Sequence, residues 1–171
     1  MAPLTLRSWS ESDRSLLTRA NSPVMTEHLN GPESDDQLDA RHERYLRLGR
    51  QGEAQMFVIE DAGCAVGSIG WWCIDWRGTE ALETGWFVLP EAQGRGVAST
   101  ALPLLVGHAR RHRAGRRLLA AFPSTENAAS NGVCRRNGFT LVGAVSETFR
   151  GGNLTVNEWV LDLESSPEDQ R

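Results

Sequence analysis

The chain has no lysine; all 18 of its basic residues are arginine. That absence excludes chemistries built on a lysine amine: Schiff-base aldolases, pyridoxal enzymes, and nucleotide binding through a G-x-x-x-x-G-K-[ST] loop. A genome biased toward arginine codons is a sufficient cause, and the exclusions hold whatever the cause. Cysteine is scarce, and Cys64, Cys73 and Cys134 are odd in number and form no C-x-x-C pair. Neither a disulfide framework nor a structural zinc is expected, which fits a reducing, cytoplasmic compartment. Tyrosine occurs once, as Tyr45. Long apolar runs are missing too; the uncharged stretch from Val97 to Ala109 is too short for a bilayer and contains Pro103. Residues Met1 to Arg7 lack the basic-then-apolar form of a signal peptide. A net charge of −4 has the wrong sign for coating nucleic acid.

What is present is a globular composition, 40% hydrophobic and 23% charged over 171 residues, enough for one domain with a real core. That domain is expected over residues 1–163, with a polar, flexible tail over 164–171. Alternation at Leu4 and Leu6 predicts a first strand. Ser10 with Asp13, and Ser34 with Gln37, have capping-box spacing and predict two helices. Three strands follow, over Met56 to Glu60, Ala65 to Ile74 and Glu80 to Leu89. A helix from about Arg95 to His112 carries apolar residues three and four apart, and Pro103 should kink it. Arg117 to Phe122 predicts a strand, Glu126 to Asn137 a helix, and Phe139 to Thr148 and Leu154 to Leu163 a closing pair of strands. The order β-α-α-β-β-β-α-β-α-β-β implies an α/β (α+β) domain with a mixed sheet flanked by helices.

The most informative segment is Pro90-Glu91-Ala92-Gln93-Gly94-Arg95-Gly96-Val97-Ala98-Ser99, between a strand and a helix. Glycines there let backbone N–H groups approach an anion, and a helix N-terminus adds a favourable dipole, so a pyrophosphate would fit. A Rossmann reading of Gly94-x-Gly96-x-x-Ser99 fails on context. No Asp or Glu follows between Glu91 and Glu126 to hold a ribose, and three strands already precede the turn.

At these residues the chain resembles the GCN5-related N-acetyltransferases (GNAT). Gln93-x-x-Gly96-x-Ala98 is similar to their acetyl-coenzyme-A signature [QR]-x-x-G-x-[GA]. The run from Asn127 to Phe139 resembles the family's N-x-x-[AS]-x-x-[VLA]-x-x-x-x-G-F helix. Glu83-Thr84-Gly85-Trp86 resembles the E-x-G-[YW] strand of the ribosomal-protein N-terminal (RimJ/RimL-like) branch. The resemblance runs from Leu4 to Leu163 and implies a mostly antiparallel sheet of about seven strands with four helices. It implies acetyl-CoA as cosubstrate, an amine acceptor, no metal, and compatibility with a homodimer. Main-chain donors from Gln93, Gly94, Arg95, Gly96, Val97, Ala98 and Ser99 would hold the pyrophosphate. Phe87, Val88 and Leu89 would pair with the pantetheine arm as an extra strand. Asn127, Ser130 and Cys134, at i, i+3 and i+7, fall within roughly a 60° arc of one helix face and could follow that arm to its sulfur.

Acetyl transfer to an amine needs a base, a donor for the oxyanion, and benefits from an acid at the leaving thiolate. Many members of the resembled family place a tyrosine at the position of Cys134, where this chain has none. Ser130 or Cys134 is the candidate weak acid, against the alternative that both are small packing residues. Glu83 matches the branch's glutamate and is the candidate base, against the alternative of a solvated or ion-paired carboxylate. Asp75, Glu80, Glu147 and Glu158 stand in reserve. Val88 marks the expected backbone oxyanion donor, and Arg95 and Arg135 are the first guanidiniums to test on phosphate. A non-catalytic acyl-CoA-binding module is the alternative function, favoured by the missing tyrosine. His108 and His112 have metal-pair spacing but sit among arginines, and the run from Arg110 to Arg117 reads as cations at a helix C-terminus. Glu33, Asp35, Asp36 and Asp39 read as acids at a helix start, with a cationic acceptor as the sharper alternative. Trp71, Trp72, Trp76 and Trp86 divide between core and a cleft that could face an amine.

Overall fold

The computed structural model describes residues 2–166. Seven strands form one sheet in the order β1-β2-β3-β4-β5-β7-β6. The strands are β1 (Thr5–Ser8), β2 (Ala54–Asp61), β3 (Cys64–Trp76), β4 (Thr79–Val88), β5 (Leu118–Ala121), β6 (Thr140–Phe149) and β7 (Gly152–Asp162). The helices are α1 (Arg14–Arg19), α2 (Asp35–Gln51), α3 (Val97–His112) and α4 (Ala128–Arg136). Every neighbouring pair is antiparallel except β4 and β5. Element order and strand count agree with the expectation from sequence; boundaries move by at most two residues.

Both capping boxes form. Asp13 accepts the Ser10 N–H at 2.7 Å before α1, and Ser34 and Gln37 exchange hydrogen bonds at the start of α2. Alternation along β2 then divides the core. Met56 and Val58 face α1 and α2 with Leu16, Leu17 and Leu38, whereas Phe57 and Ile59 join the larger cluster under α3 and α4 with Leu102, Leu105 and Trp159. α3 runs through Pro103 as one continuous helix, so the expected kink does not divide it.

The basic run after α3 is taken up inside the fold. Arg110 donates to the Leu163 and Ser165 carbonyls, Arg113 pairs with Glu164, and Arg117 pairs with Asp162. The first residues of the expected tail are thereby tied to the domain, and residues 167–171 lie outside the described residues. His108 and His112 stack at 4.0 Å, and His108 Nδ1 accepts the Trp71 indole N–H at 3.0 Å. Burial lowers the His108 pKa to about 4, so the His108 ring packs as a neutral acceptor for the Trp71 indole. Among the described residues no cluster of His, Cys, Asp or Glu could hold a metal, and no helix is long and apolar enough to cross a membrane.

Candidate active site

The parallel pair β4–β5 is joined only at Leu82↔Leu119 and Glu83↔Ala120. Beyond Glu83, β4 continues to Val88 beside β3, while β5 ends at Ala121 and the chain turns into α4. The sheet therefore splays open at its centre. A cleft of about 1110 Å³ runs through the splay from the start of α3 to the acidic wall of β6 and β7. The Leu89 N–H is bonded across to the Val66 carbonyl at 2.8 Å. By strand alternation the N–H and carbonyl of Val88 face the open side.

At one end of the cleft lies the glycine turn. Gly94 and Gly96 have φ of +74° and +73°, a left-handed backbone that a side chain would strain. Gly96 is the N-cap of α3 and offers no side chain, so the first N–H groups of that helix have no side-chain cap. Gln93 Nε2 donates to the Val88 carbonyl at 2.8 Å, tying the turn to the end of β4. Its amide side chain is thus occupied in holding the loop.

Glu83 sits half-buried at the point of divergence. Gly85 lacks the Cβ that would lie 3.0 Å from Cη2 of Trp72, which lets that indole lie close along β4. Trp72 Nε1 then donates to Glu83 Oε2 at 3.1 Å. Burial raises the Glu83 pKa to about 7; the indole hydrogen bond opposes that shift and the Glu147 charge adds to it. A carboxylate that gains or loses its proton near neutrality, in a cleft, has the properties of a general base.

Of the expected cofactor residues, Phe87, Val88, Gln93, Gly94, Gly96, Val97, Ala98, Ser99, Asn127 and Ser130 all line the cleft. Three expectations are corrected. Leu89 is 1% exposed and packs with Trp9 and Leu17, and its N–H is bonded to the Val66 carbonyl on the β3 side, so neither its side chain nor that N–H faces the cleft. Arg95 points away and pairs with Asp61 at 3.7 Å. Cys134 is fully buried against Val133 and Phe139 in the larger core, and burial pushes its thiol up to about 12. The 60° arc places it beneath the lining, and a desolvated neutral thiol in the core cannot reach a leaving group. Asn127 also does more than line: its Oδ1 caps α4 by accepting the Ser130 N–H at 3.1 Å.

One residue was missed. Arg136 lines the cleft and donates from Nε and Nη2 to Ser99 Oγ at 3.3 and 3.1 Å, laying its guanidinium beside the first turn of α3. Arg135, suggested instead from sequence, lies over the Trp159 ring at 5.6 Å. A helical face shifts by about 100° per residue, so neighbouring arginines serve opposite sides. The sequence carried no signal for it: Arg136 is nine residues beyond Asn127, about 180° round the helix from it, and only the approach of α3 to α4 brings Arg136 to the cleft.

At the other end, a strap before α2 is clasped to the β6–β7 turn. Asn30 Nδ2 donates to the Phe149 carbonyl at 2.7 Å, Arg150 donates to the Gly31 carbonyl, and Glu33 pairs with both Arg41 and Arg150. Of the four expected helix-start acids, Glu33 is spent in this clasp and Asp39 pairs with Arg14.

A family model for the "Acetyltransferase (GNAT) domain" matches residues 3–140. The chain belongs to the GNAT family. Among solved structures, this GNAT chain is similar to RimL, described as a ribosomal L7/L12 alpha-N-protein acetyltransferase, in complex with coenzyme A disulfide-bonded to a cysteine. That match has 25% identity, covers 97% of each chain and has a TM-score of 0.81. A Salmonella typhimurium acetyltransferase that modifies the N-terminal serine of ribosomal protein L7/L12 is 26% identical over 95% of this chain and 96% of its own, with a TM-score of 0.79. The fold is shared with a Vibrio cholerae spermidine N-acetyltransferase solved with CoA and spermine, 22% identical over 94% of this chain and 95% of its own, TM-score 0.76. Among curated proteins, none matches the chain. The GNAT domain is RimL-like, and its activity class is N-acetyltransferase.

Proposed function

We propose that this N-acetyltransferase uses acetyl-CoA and transfers its acetyl group to a primary amine, of a protein N-terminus or a small molecule, by direct attack with both substrates bound. The observation that carries this reading is a near-neutral carboxylate, Glu83, at the divergence of β4 and β5, in a cleft whose far end is an uncapped helix N-terminus. The residues fit the cosubstrate. Backbone N–H groups at Gly94 to Ser99, with the Arg136 guanidinium, suit the pyrophosphate. The edge of β4 from Thr84 to Val88, which no strand pairs on the β5 side, suits an amide-bearing arm as a further strand, and Ser130, whose hydroxyl has no hydrogen-bond partner among the described residues, faces the same path. When bound, acetyl-CoA supplies a thioester already activated toward an amine.

The chain's own groups do the rest. Glu83, with Trp72 holding one oxygen, takes the proton from the incoming ammonium. The outward N–H of Val88 is placed to stabilise negative charge on the thioester oxygen. Ser130 replaces Cys134 as the remaining side-chain donor for the thiolate, a modest role since a thiol ionises near pH 8.5. The test is Glu83→Gln. We expect kcat to fall by about 100-fold or more, and the rise in rate through pH 7 to disappear. Unchanged turnover across the pH range would remove Glu83 as base.

A further inference from the structure

The acceptor end of the cleft carries charge of both signs, on different walls. Glu83 and Glu147 face in from β4 and β6. Opposite them, α2 and the β6–β7 turn present Arg41, Arg44 and Arg150, with Glu33 the one carboxylate shared between Arg41 and Arg150. Glu158, also in the lining, is already matched by Arg77 and the Trp76 indole. Two features mark the guanidinium wall as unsatisfied. Arg41 Nε is buried with no hydrogen-bond partner. Arg44, three residues on along the same helix face, has no ion pair among the described residues, although it borders the cleft. A buried guanidinium N–H without an acceptor is a standing cost that a bound anion removes.

Resting on the acetyltransferase reading, we propose that the acceptor is an amine bearing an anionic group a few bonds away. Its ammonium sits at Glu83, and its carboxylate or phosphate is held by Arg44 and Arg41. An acidic first residue on a peptide and a small amino acid share that chemistry. A polyamine does not, because its second ammonium would be driven against guanidiniums.

The experiment compares matched acceptors on the full chain: a peptide starting with aspartate against the same peptide starting with asparagine, β-alanine against its amide, and spermidine. We expect kcat/KM to favour each acid over its amide, and spermidine to be poorest. The peptide and small-molecule arms tell which source of the anion is used. Arg44→Ala lowers the acid-over-amide ratio by about tenfold, the size of one charge-assisted hydrogen bond, and Arg44→Lys restores part of it. Calorimetry of the acidic acceptors on CoA-saturated protein should show the same order in affinity. Equal rates on acid and amide, a preference for spermidine, or an Arg44→Ala loss shared equally by acid and amide each overturn the inference. Failure of the wild-type chain to bind CoA in the same calorimeter overturns the acetyltransferase reading itself, and the two failures are thereby separate.

Discussion

At the scale of single residues, any cationic side-chain contact to phosphate must come from arginine or histidine, since the chain has no lysine. Arg95 and Arg135 were the natural candidates from sequence, and each is engaged elsewhere, with Asp61 and with the Trp159 ring. Arg136 remains, bridged to Ser99 at the start of α3. Arg136→Gln should weaken CoA binding by about tenfold, as expected for one charge-assisted contact. Calorimetry with pantetheine, which has no phosphate, should show no such loss. Equal weakening of both ligands would mean the substitution acts through the α3–α4 packing. Glu83 makes a second residue-scale statement, about stability. Its folded pKa of about 7 lies above the ordinary value of 4.5, so the folded state holds this proton more tightly than the unfolded chain. Stability from this group is greatest below pH 4.5 and falls as pH rises toward 7, by up to about 3 kcal/mol at 1.4 kcal/mol per pKa unit. Glu83→Gln should therefore raise the denaturation midpoint above pH 7 while it lowers kcat, the signature of a carboxylate kept for chemistry.

At the scale of elements, the site depends on how α4 is seated. Asn131 is buried and fully used: its Nδ2 donates to the Ser124 and Asn127 carbonyls, and its Oδ1 accepts from Trp159 Nε1 and Asn157 Nδ2, the last three at 2.8 Å. This one amide joins α4, the segment leading into it and β7, and so sets where Ser130 and Arg136 enter the cleft. Asn131→Ala strands the Trp159 indole and the Ser124 carbonyl. We expect a loss of about 2–4 kcal/mol in chemical denaturation, since each buried group left unpaired costs roughly 1–3 kcal/mol. A change below about 0.5 kcal/mol would contradict that seating. The splay between β4 and β5 is the other element-scale device. A parallel pair limited to two registered residue pairs leaves the rest of β4 with backbone groups facing an opening, which a globular sheet tolerates only where something else pairs them.

At the scale of the whole molecule, the missing lysine has a consequence for an acetyltransferase: the protein has no ε-amine of its own to modify. Incubated with acetyl-CoA, it should gain mass for at most one stable N-acetyl group, at the N-terminal amine; a second such group in intact-protein mass spectrometry would contradict this. The sequence by itself determined the element order, the two capping boxes, the glycine turn and the candidate base, because each rests on local rules: side-chain period, cap chemistry, positive-φ glycine, and motif spacing. Only the tertiary structure decided which residues face the cleft. A helix face read from sequence carries no label for core or cleft, so Cys134 went to the core and Arg136 to the site although both lie on α4. The sequence likewise could not show that Glu33 would be consumed between Arg41 and Arg150. That contact joins segments 117 residues apart and depends on the closure of the strap onto the β6–β7 turn. The composition marks arginine as the only permanent side-chain cation. The fold decides that the Arg136 guanidinium lies at the cleft beside Ser99, and that Arg44 borders the same cleft with no ion pair among the described residues.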